Sequence, residues 1–363
     1  MFYQSDLLEY MQDKIVELLS GKYSDREYPA CRWLAEKWAE TLPLKGLKIL
    51  DATPVYFNTL AKYLPLLAAG AELTVGFSKE IGHDRRMWRL FDELHISTLF
   101  FEAAEKNKSF DIILDCAAVF ADWHASVGYV ELTRSGVDRY RSSQLPVFVA
   151  DSGRIKQIET CLGTGESYYR AMDRCGYSDW KGRQIVIFGS GKVGTGLITY
   201  AYRKGAVVTV ITDPEQVRTF VRPYIHTLID FRDAEAVNNA IVKAYAVVTS
   251  TGVPDALANV SPEIWKRSHA LLANMGVRDE YGAAVSENRV LCGKKTLNFM
   301  LDEPTRLRYI DATFALHNVG AQYLLEHRDE CGLIIPPVSI EQEILDVTRR
   351  AGLITEELDW IAL

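Results

Sequence analysis

A glycine-rich turn that follows an apolar strand limits the fold of this chain more than any other feature. Residues 183–196 read RQIVIFGSGKVGTG, and the helix-forming stretch LITYAYRKG comes directly after them. In this strand-turn-helix context Gly189 permits a tight turn, Gly191 lets the backbone approach a pyrophosphate, and Gly194 lets helix and strand pack closely. The start of the helix adds amide donors and a favourable dipole. We therefore predict a dinucleotide site formed by Gly189, Ser190, Gly191, Lys192, Val193 and Gly194, with a turn that binds no ligand as the alternative.

The next predicted strand, AVVTVIT (206–212), ends beside the position that reads the adenosine ribose in such folds. Asp213 can accept hydrogen bonds from both ribose hydroxyls, which favours NAD as the cofactor. Thr212 with Arg218 could instead hold a 2′-phosphate, so NADP is the less favoured alternative. A third possibility is that Asp213 only caps the helix predicted for PEQVRTFV.

The two strands that follow end in short polar segments. AYAVVTST (244–251) runs into Ser250, Thr251 and Gly252, and ALLANMG (270–276) contains Asn274. Ligands bind at the carboxyl ends of the strands in doubly wound parallel sheets. We therefore add these four residues to the predicted cofactor site.

An earlier series of strands precedes the glycine turn. Helical patterns alternate there with LKILDAT (47–53), AELTVGF (71–77), FDIILDC (110–116) and LPVFVAD (145–151). Two such series predict an α/β protein with two doubly wound domains, one a Rossmann NAD-binding domain and the other a discontinuous α/β substrate domain. We place the substrate domain at 1–179 and 318–363 and the NAD-binding domain at 180–317, with the turn-rich GYSDWKGR at the first crossing.

The composition excludes several classes of protein. The 363 residues are 48% hydrophobic and 25% charged, which is typical of a globular chain. The net charge is −7 and no basic block could follow a phosphate backbone, so we expect no nucleic-acid partner. No apolar run reaches the roughly 18 residues of a membrane span. The six cysteines show neither CxxC pairs nor zinc spacing, so we expect reduced thiols, no metal site and a cytoplasmic location.

Several motifs along the chain are similar to those of one enzyme family. They are PLKGLKI (43–49), FDIILDCAA (110–118), SGV (135–137), LPVFVADSGRIKQIETCLGTGES (145–167), GSGKVGTG (189–196), TSTGV (249–253), NMGVRDEYG (274–282) and LRYIDATFALHN (307–318). In their order and spacing the chain resembles the S-adenosylhomocysteine hydrolases, also called adenosylhomocysteinases. These NAD-dependent enzymes oxidise a ribose 3′-hydroxyl, eliminate the thiol, add water and reduce the product again. The resemblance implies a homodimer or homotetramer and cofactor contacts from Thr133 and Ser135.

The family's catalytic positions are largely replaced in this sequence. Other residues stand at its second aspartate, catalytic glutamate, catalytic lysine and two histidines, namely Cys116, Leu132, Ile155, Val277 and Pro54. General acid and base steps contribute about 10²- to 10⁴-fold each, so we expect no efficient adenosylhomocysteinase activity. The sequence also ends at DWIAL, without the family's basic-aromatic tail, so we expect an exchangeable cofactor.

The polar side chains left in the expected cleft between the domains are candidate catalytic and substrate groups. Glu159 matches an aspartate of the family, and His317 matches its hinge histidine, near a strand-to-helix junction; either could transfer a proton. We further assign catalysis to Cys116 and Lys156, and substrate binding to Glu131, Arg134 and Asp279. A structural role is the alternative for each: a surface charge, a packed histidine or a buried thiol.

Together these observations predict an NAD-dependent oxidoreductase on the adenosylhomocysteinase scaffold. Its substrate is expected to be a small polar hydroxy or amino compound. The alternatives are a non-catalytic NAD-binding homologue that serves a regulatory or partner-binding role, and a residual thioether-nucleoside hydrolase.

Overall fold

Parallel strands alternate with helices along most of the chain. The structure, a computed structural model, describes residues 4–102 and 108–362. The strands of this part are β1 (Lys48–Asp51), β2 (Glu72–Phe77), β3 (Ser97–Phe100), β4 (Phe110–Asp115), β5 (Ala125–Glu131), β6 (Pro146–Val149), β7 (Gln184–Phe188), β8 (Val207–Thr212), β9 (Thr227–Asp230), β10 (Ala246–Thr249), β11 (Leu271–Asn274) and β12 (Gly332–Ile334). The α-helices are α1 (Gln4–Ser20), α2 (Pro29–Thr41), α3 (Leu60–Ala68), α4 (Arg86–Glu93), α5 (Arg134–Val137), α6 (Thr164–Arg174), α7 (Lys192–Arg203), α8 (Ala234–Lys243), α9 (Pro262–Arg267), α10 (Leu307–Glu326), α11 (Val338–Ala351) and α12 (Thr355–Trp360).

The chain divides into two units. The first comprises the residues up to Lys156 together with Leu307–Thr355, and the second comprises Gln157–Arg306 and the residues from Glu356 onward. The first two crossings, at 156/157 and 306/307, differ from the sequence-based boundaries at 179/180 and 317/318, and the third, at 355/356, takes the end of the predicted segment 318–363 into the second unit. The boundaries differ because they depend on packing between segments, which no local sequence motif indicates.

At the first crossing, α6 packs so closely on α7 that it belongs to the second unit. A Cβ on Gly165 would lie 2.6 Å from the backbone carbon of Gly196, and a Cβ on Gly196 would overlap the carbonyl oxygen of Cys161. At the second crossing, α10 is one continuous helix that is tied to the first unit. The Asp311 carboxylate on α10 accepts hydrogen bonds from the amides of Ala30 and Cys31 at the start of α2, at 2.7 and 3.0 Å.

The sheet of the second unit has five parallel strands in the order β11-β10-β7-β8-β9. Successive side chains of β7 enter cores on opposite faces. Ile185 and Ile187 pack in a cluster with α6 and α7, whereas Val186 and Phe188 pack in a cluster with α8 and α9. A strand that is covered on both faces must be apolar at every position, which explains the run IVIF. The order reverses between β7 and β10, the position of the ligand crevice in such sheets.

The sheet of the first unit has seven parallel strands in the order β12-β6-β5-β4-β1-β2-β3. Its order reverses between β1 and β4, which end in Asp51 and Asp115. Helix α10 lies against β5 and β6 at Gly320, where a Cβ would be 2.7 Å from a methyl carbon of Val130. The prediction of two parallel α/β sheets, one of them Rossmann-like, is confirmed.

All eight strands predicted from the sequence are present, and four more were missed. Three of the missed strands, β3, β9 and β12, are short and lie at sheet edges, where partial exposure weakens the apolar pattern. The fourth, β5, is central but contains Gly128, where a Cβ would lie 2.5 Å from the carbonyl oxygen of Pro146. Close approach of the backbone requires this glycine, and the glycine interrupts the sequence pattern by which a strand is predicted.

Two further observations concern the chain as a whole. Within the described residues, no helix is both long and apolar enough to cross a membrane. All six cysteines are free; Cys31, Cys116 and Cys161 are buried, and Cys292 and Cys331 are exposed.

Candidate functional site

The glycine turn after β7 has the backbone geometry that a pyrophosphate requires. Gly189 has a φ of +94°, which favours glycine, and a Cβ there would lie 2.7 Å from the carbonyl oxygen of Ser250. A Cβ on Gly194 would overlap the carbonyl oxygen of Gly189, so α7 can approach the turn only without a side chain at that position. At Gly191, in contrast, a Cβ would meet nothing within 4 Å. The turn is therefore closely packed at Gly189 and Gly194 and open at Gly191.

This geometry fits a dinucleotide. Gly191 is the N-cap of α7, with an extended backbone at φ −66° and ψ −161°, and Lys192 and Val193 follow in the first turn of a 12-residue helix. The N-terminus of a helix of this length presents amide donors and the positive end of the helix dipole. The open space beside Gly191 is where a phosphate group would lie against them.

The loops after β8 and β10 adjoin the glycine turn. The hydroxyls of Ser190 and Thr212 are 3.1 Å apart, which links the turn to the end of β8. The Ser250 hydroxyl donates to the carbonyl of Phe188 at 3.1 Å. The fold thus brings these predicted cofactor residues to one edge of the sheet.

Asp213 performs the capping role that the sequence left as an alternative. Its carboxylate accepts from the amide of Glu215 at 3.2 Å and from the side-chain amide of Gln216 at 3.3 Å. The guanidinium of Arg232 lies 3.6 Å from it. A carboxylate has about four acceptor positions, so these contacts do not exhaust its capacity. Arg218, the residue considered for a 2′-phosphate, donates to the side chain of Gln157 at 2.8 Å.

Glu280 organises the loop after β10, and sequence reasoning missed it. Its buried carboxylate accepts from the amide and the hydroxyl of Thr251 and from the amide of Gly252, each at 2.8 Å. Burial raises the pKa of Glu280. Because these two amides serve Glu280, the protein itself sets the shape of the loop. The available signal was a second acid beside Asp279 in the turn after β11.

Asn274 and Asp279 hold the loop after β11. The Asn274 side-chain amide donates to the carbonyls of Arg278 and Lys294 at 2.8 and 2.7 Å, and its oxygen accepts from the Thr249 hydroxyl at 3.0 Å. Asp279 forms an ion pair with Lys294 at 2.8 Å. Burial opposes ionisation of Asp279, but the hydrogen bond and charge of Lys294 hold its pKa below the usual range. Both predicted site residues are thus engaged by the protein.

The first unit has a carboxylate pair at the carboxyl edge of its own sheet. Asp115 ends β4 and lies beside Glu131, its register partner at the end of β5. Asp115 accepts from the amides of Cys116 and Phe120 at 2.8 and 3.0 Å and from the Tyr140 hydroxyl at 2.5 Å. Burial and the charge of Glu131 raise the pKa of Asp115 to about 7. Sequence reasoning missed Asp115, although an acid that ends an apolar strand was the signal.

Glu131 is fully committed to the backbone around it. Its two carboxylate oxygens accept from the amides of Ala117 and Ala118, both at 3.0 Å, and from the amide and hydroxyl of Thr133, both at 2.7 Å. Ala117 and Ala118 have φ values of +57° and +55°, so their amides form a concave donor pair that an anion fills. Burial raises the pKa of Glu131. These contacts show a structural role for Glu131, which was predicted to bind substrate.

The neighbouring candidates lie at the same edge of the first unit. The hydroxyls of Thr133 and Ser135 are 3.1 Å apart, and Arg134 is exposed at the start of α5. Cys116 is buried in an apolar cluster with Phe120, an environment that favours the structural alternative over a nucleophile. Thr133 and Ser135, which were predicted to contact the cofactor, belong to the first unit, whereas the glycine turn belongs to the second.

His317 differs most from its sequence-based placement. It lies in the middle of α10, not at a strand-to-helix junction, because α10 runs unbroken from Leu307 to Glu326. The ring is completely buried, and its Nε2 donates to the carbonyl of Val130 at 2.9 Å. Burial, aided by the charge of Lys62, lowers the pKa of His317 well below its ordinary value. The ring is neutral at neutral pH, as expected for a packed histidine.

Lys156 and Glu159 fall on opposite sides of the division between the units. Lys156 is buried in the first unit, which argues against the solvated helix charge considered as its alternative. Glu159 is half-buried in the second unit, in a π-helical segment, Ile158–Gly163. Such π-helical turns occur frequently at functional sites.

Comparison with known proteins agrees with this geometry. A family model of NAD(P)-binding domains, NAD_binding_7, matches residues 177–284, the region of the glycine turn and β7–β11. An adenosylhomocysteinase of Haloquadratum walsbyi is 25% identical over 277 residues, which cover 68% of this chain and 62% of that protein. Over much of its length the chain has weak homology to adenosylhomocysteinases, at 22–25% identity, which is consistent with a divergent member of that family. The chain spans 62% of the length of this relative and of its counterpart in a second strain of that organism.

Two other relatives align along nearly the whole chain. The S-inosyl-L-homocysteine hydrolase of Methanosarcina mazei is 21% identical, over 93% of both chains. The adenosylhomocysteinase of Thermococcus kodakarensis is 22% identical, over 90% of this chain and 88% of that protein. Among solved structures, one component of the dipicolinate synthase of Bacillus halodurans superposes with a TM-score of 0.51 at 12% identity, covering 78% of this chain and 99% of that one. This last likeness concerns the fold alone.

Proposed function

We propose that this chain is an NAD-dependent oxidoreductase on the adenosylhomocysteinase scaffold, acting on a small polar hydroxy or amino substrate. The observation that carries the proposal is the glycine turn. It is closed behind Gly189 and Gly194 and open at Gly191, beside the N-terminus of α7. A bound nicotinamide would supply the hydride acceptor. Other residues stand at the family's catalytic lysine and glutamate positions, Ile155 and Leu132, which speaks against efficient adenosylhomocysteine hydrolysis.

Glu159 is the group that we assign to proton transfer. It is half-buried, so it can exchange protons with solvent, and it lies in the π-helical segment of the nucleotide-binding unit. His317 is the weaker candidate because it is buried and neutral. A positioned acid or base contributes about 10²- to 10⁴-fold to a rate. We expect Glu159→Gln to lose turnover to that extent while it keeps its affinity for NAD.

We further propose NAD rather than NADP as the cofactor. The Asp213 carboxylate at the end of β8 can accept from ribose hydroxyls and would repel a 2′-phosphate. Calorimetric titration of the purified protein should give a lower Kd for NAD than for NADP. Asp213→Asn should narrow that difference. Equal affinities in the unchanged protein would contradict the assignment.

The decisive experiment follows the absorbance of bound NAD during rapid mixing with nucleosides, hydroxy acids and amino acids. One compound class should reduce NAD, and Glu159→Gln should slow the reduction. Glu263→Gln is the matched control, because Glu263 is an exposed acid of the same unit that forms a surface ion pair with Lys266, at 2.7 Å. Failure of every compound to reduce NAD would refute the oxidoreductase. Release of homocysteine from S-adenosyl- or S-inosylhomocysteine would point to the hydrolase activity named for the relatives.

A non-catalytic NAD-binding protein is the second candidate. Two residues that the sequence offered as candidate site groups have structural roles instead. Glu131 accepts hydrogen bonds from four backbone and side-chain donors, and the side chain of His317 is completely buried. This candidate predicts tight NAD binding without turnover. Product formation that disappears in Glu159→Gln would exclude it.

A further inference from the structure

Three sulfur-bearing side chains converge in the second unit. Cys175 follows the end of α6, Cys292 lies in the turn Leu291–Lys294, and Met300 lies in the turn Leu297–Met300. The Sδ of Met300 is 3.7 Å from the Sγ of Cys175 and 3.8 Å from the Sγ of Cys292. Cys292 and Met300 are eight residues apart, whereas Cys175 is brought to them by the tertiary fold across 125 residues.

The spacing of the cluster suits one metal ion bound by sulfur. A metal–sulfur bond is about 2.3 Å long, so two sulfurs on one ion are about 3.8 Å apart in tetrahedral and about 4.0 Å apart in trigonal geometry. The Sδ–Sγ distances from Met300 to Cys175 and to Cys292 fall close to these values. An ion could therefore enter with only small movements of the side chains.

Access and backbone geometry also favour a site. Cys292 is exposed, and Cys175 and Met300 are partly exposed, so an ion can reach all three sulfurs from solvent. Cys292, Gly293 and Lys294 have φ values of +56°, +60° and +66°, so three successive residues adopt the left-handed conformation. This conformation costs energy in non-glycine residues, and it holds the Cys292 thiol beside Met300.

The ligand chemistry selects the ion. Within the described residues, no group of three His, Cys, Asp or Glu side chains is placed to hold a metal. The sulfur cluster differs from such groups because its third ligand is a thioether. Soft thiolate and thioether ligands together favour Cu(I) over the harder divalent cations. Burial and Cys175 raise the pKa of the Cys292 thiol, and the positive charge of Lys295 opposes this rise in part.

We propose that Cys175, Cys292 and Met300 form a binding site for one Cu(I) ion. Both thiols lose their protons to solvent on binding, so one Cu(I) displaces two protons and no electron is transferred. The neutral Met300 thioether completes the sulfur set. This site is independent of the proposed oxidoreductase activity and of the glycine turn.

Anaerobic titration of the reduced full-length protein with Cu(I), against a competing Cu(I) chelator, tests the site. Loss of a partner that only supports a metal ligand costs about 10- to 100-fold in affinity, so Cys175→Ser and Cys292→Ser should each weaken binding more than about 100-fold. Met300→Leu, which keeps the volume, should weaken it about tenfold. Cys331→Ser is the control, since Cys331 is an exposed free cysteine of the first unit.

X-ray absorption and the pH dependence of Cu(I) affinity test the ligand set directly. X-ray absorption of the Cu(I) complex should show sulfur ligands at about 2.3 Å, three in the unchanged protein and two in Met300→Leu. The affinity should rise with pH because two protons leave. Unchanged binding in either serine variant, equal binding in Met300→Leu, or a ligand set of nitrogen and oxygen would each overturn the assignment.

Discussion

Replacing Gly191 with alanine should separate cofactor binding from folding. The backbone of Gly191, at φ −66° and ψ −161°, lies in a region that alanine adopts without strain. A Cβ at this position meets no protein atom within 4 Å. The added methyl group therefore enters the space that we assign to the pyrophosphate and leaves the protein contacts intact.

The two expected effects differ in size. For folding, alanine is a poorer N-cap than glycine, but it lowers the entropy of the unfolded chain by about 0.4–1 kcal/mol, so the net change should stay within about 1 kcal/mol. For binding, a hydrogen bond to a charged group contributes about 1.5–3 kcal/mol. Displacing the phosphate from one such bond should raise the Kd for NAD about 10- to 150-fold.

Calorimetric titration with NAD, paired with thermal unfolding, measures both effects. Gly21→Ala is the matched control, because a Cβ there makes only ordinary contacts at 3.5 and 3.7 Å, in the first unit. The control should bind NAD like the unchanged protein. An unaltered Kd in Gly191→Ala would show that the pyrophosphate lies elsewhere. A fall in Tm of more than about 4 °C would show that the space beside Gly191 is not open.

Three further predictions concern stability. Gly194→Ala should lower the free energy of unfolding by about 1–3 kcal/mol, because its Cβ would overlap the carbonyl oxygen of Gly189; an unchanged urea midpoint would contradict this packing. Ala117→Gly should raise it by about 0.5–1 kcal/mol, since glycine tolerates the φ of +57°, and a lower urea midpoint would argue against strain. Burial and Glu131 raise the pKa of Asp115 from 3.8 to about 7, so the native state keeps a proton that the unfolded chain releases. The free energy of unfolding should therefore fall as the pH rises from about 4 to about 7, by up to about 1.4 kcal/mol per pH unit. Asp115→Asn should remove this contribution. Equal dependence of the unfolding free energy on pH in the unchanged protein and in Asp115→Asn would refute the prediction.

The sequence by itself determined the fold class and the position of the glycine turn. Apolar runs such as IVIF mark strands that are covered on both faces, because every side chain of such a strand must be apolar. The pattern of Gly189, Gly191 and Gly194 is equally local, because turn, phosphate approach and helix packing all depend on adjacent backbone. Local patterns are therefore visible without the rest of the chain.

The tertiary structure alone decided what the polar candidates do. His317 is neutral because α10 continues through it and buries it, and Glu131 is used up because β4 and β5 align it with the amides of Ala117 and Ala118. The contacts of Glu280 with Thr251 and of Cys175 with Met300 likewise join segments that are distant in sequence. Burial, pKa and ligand geometry are properties of neighbours in space. The sequence names the side chains, but packing decides which atoms surround them.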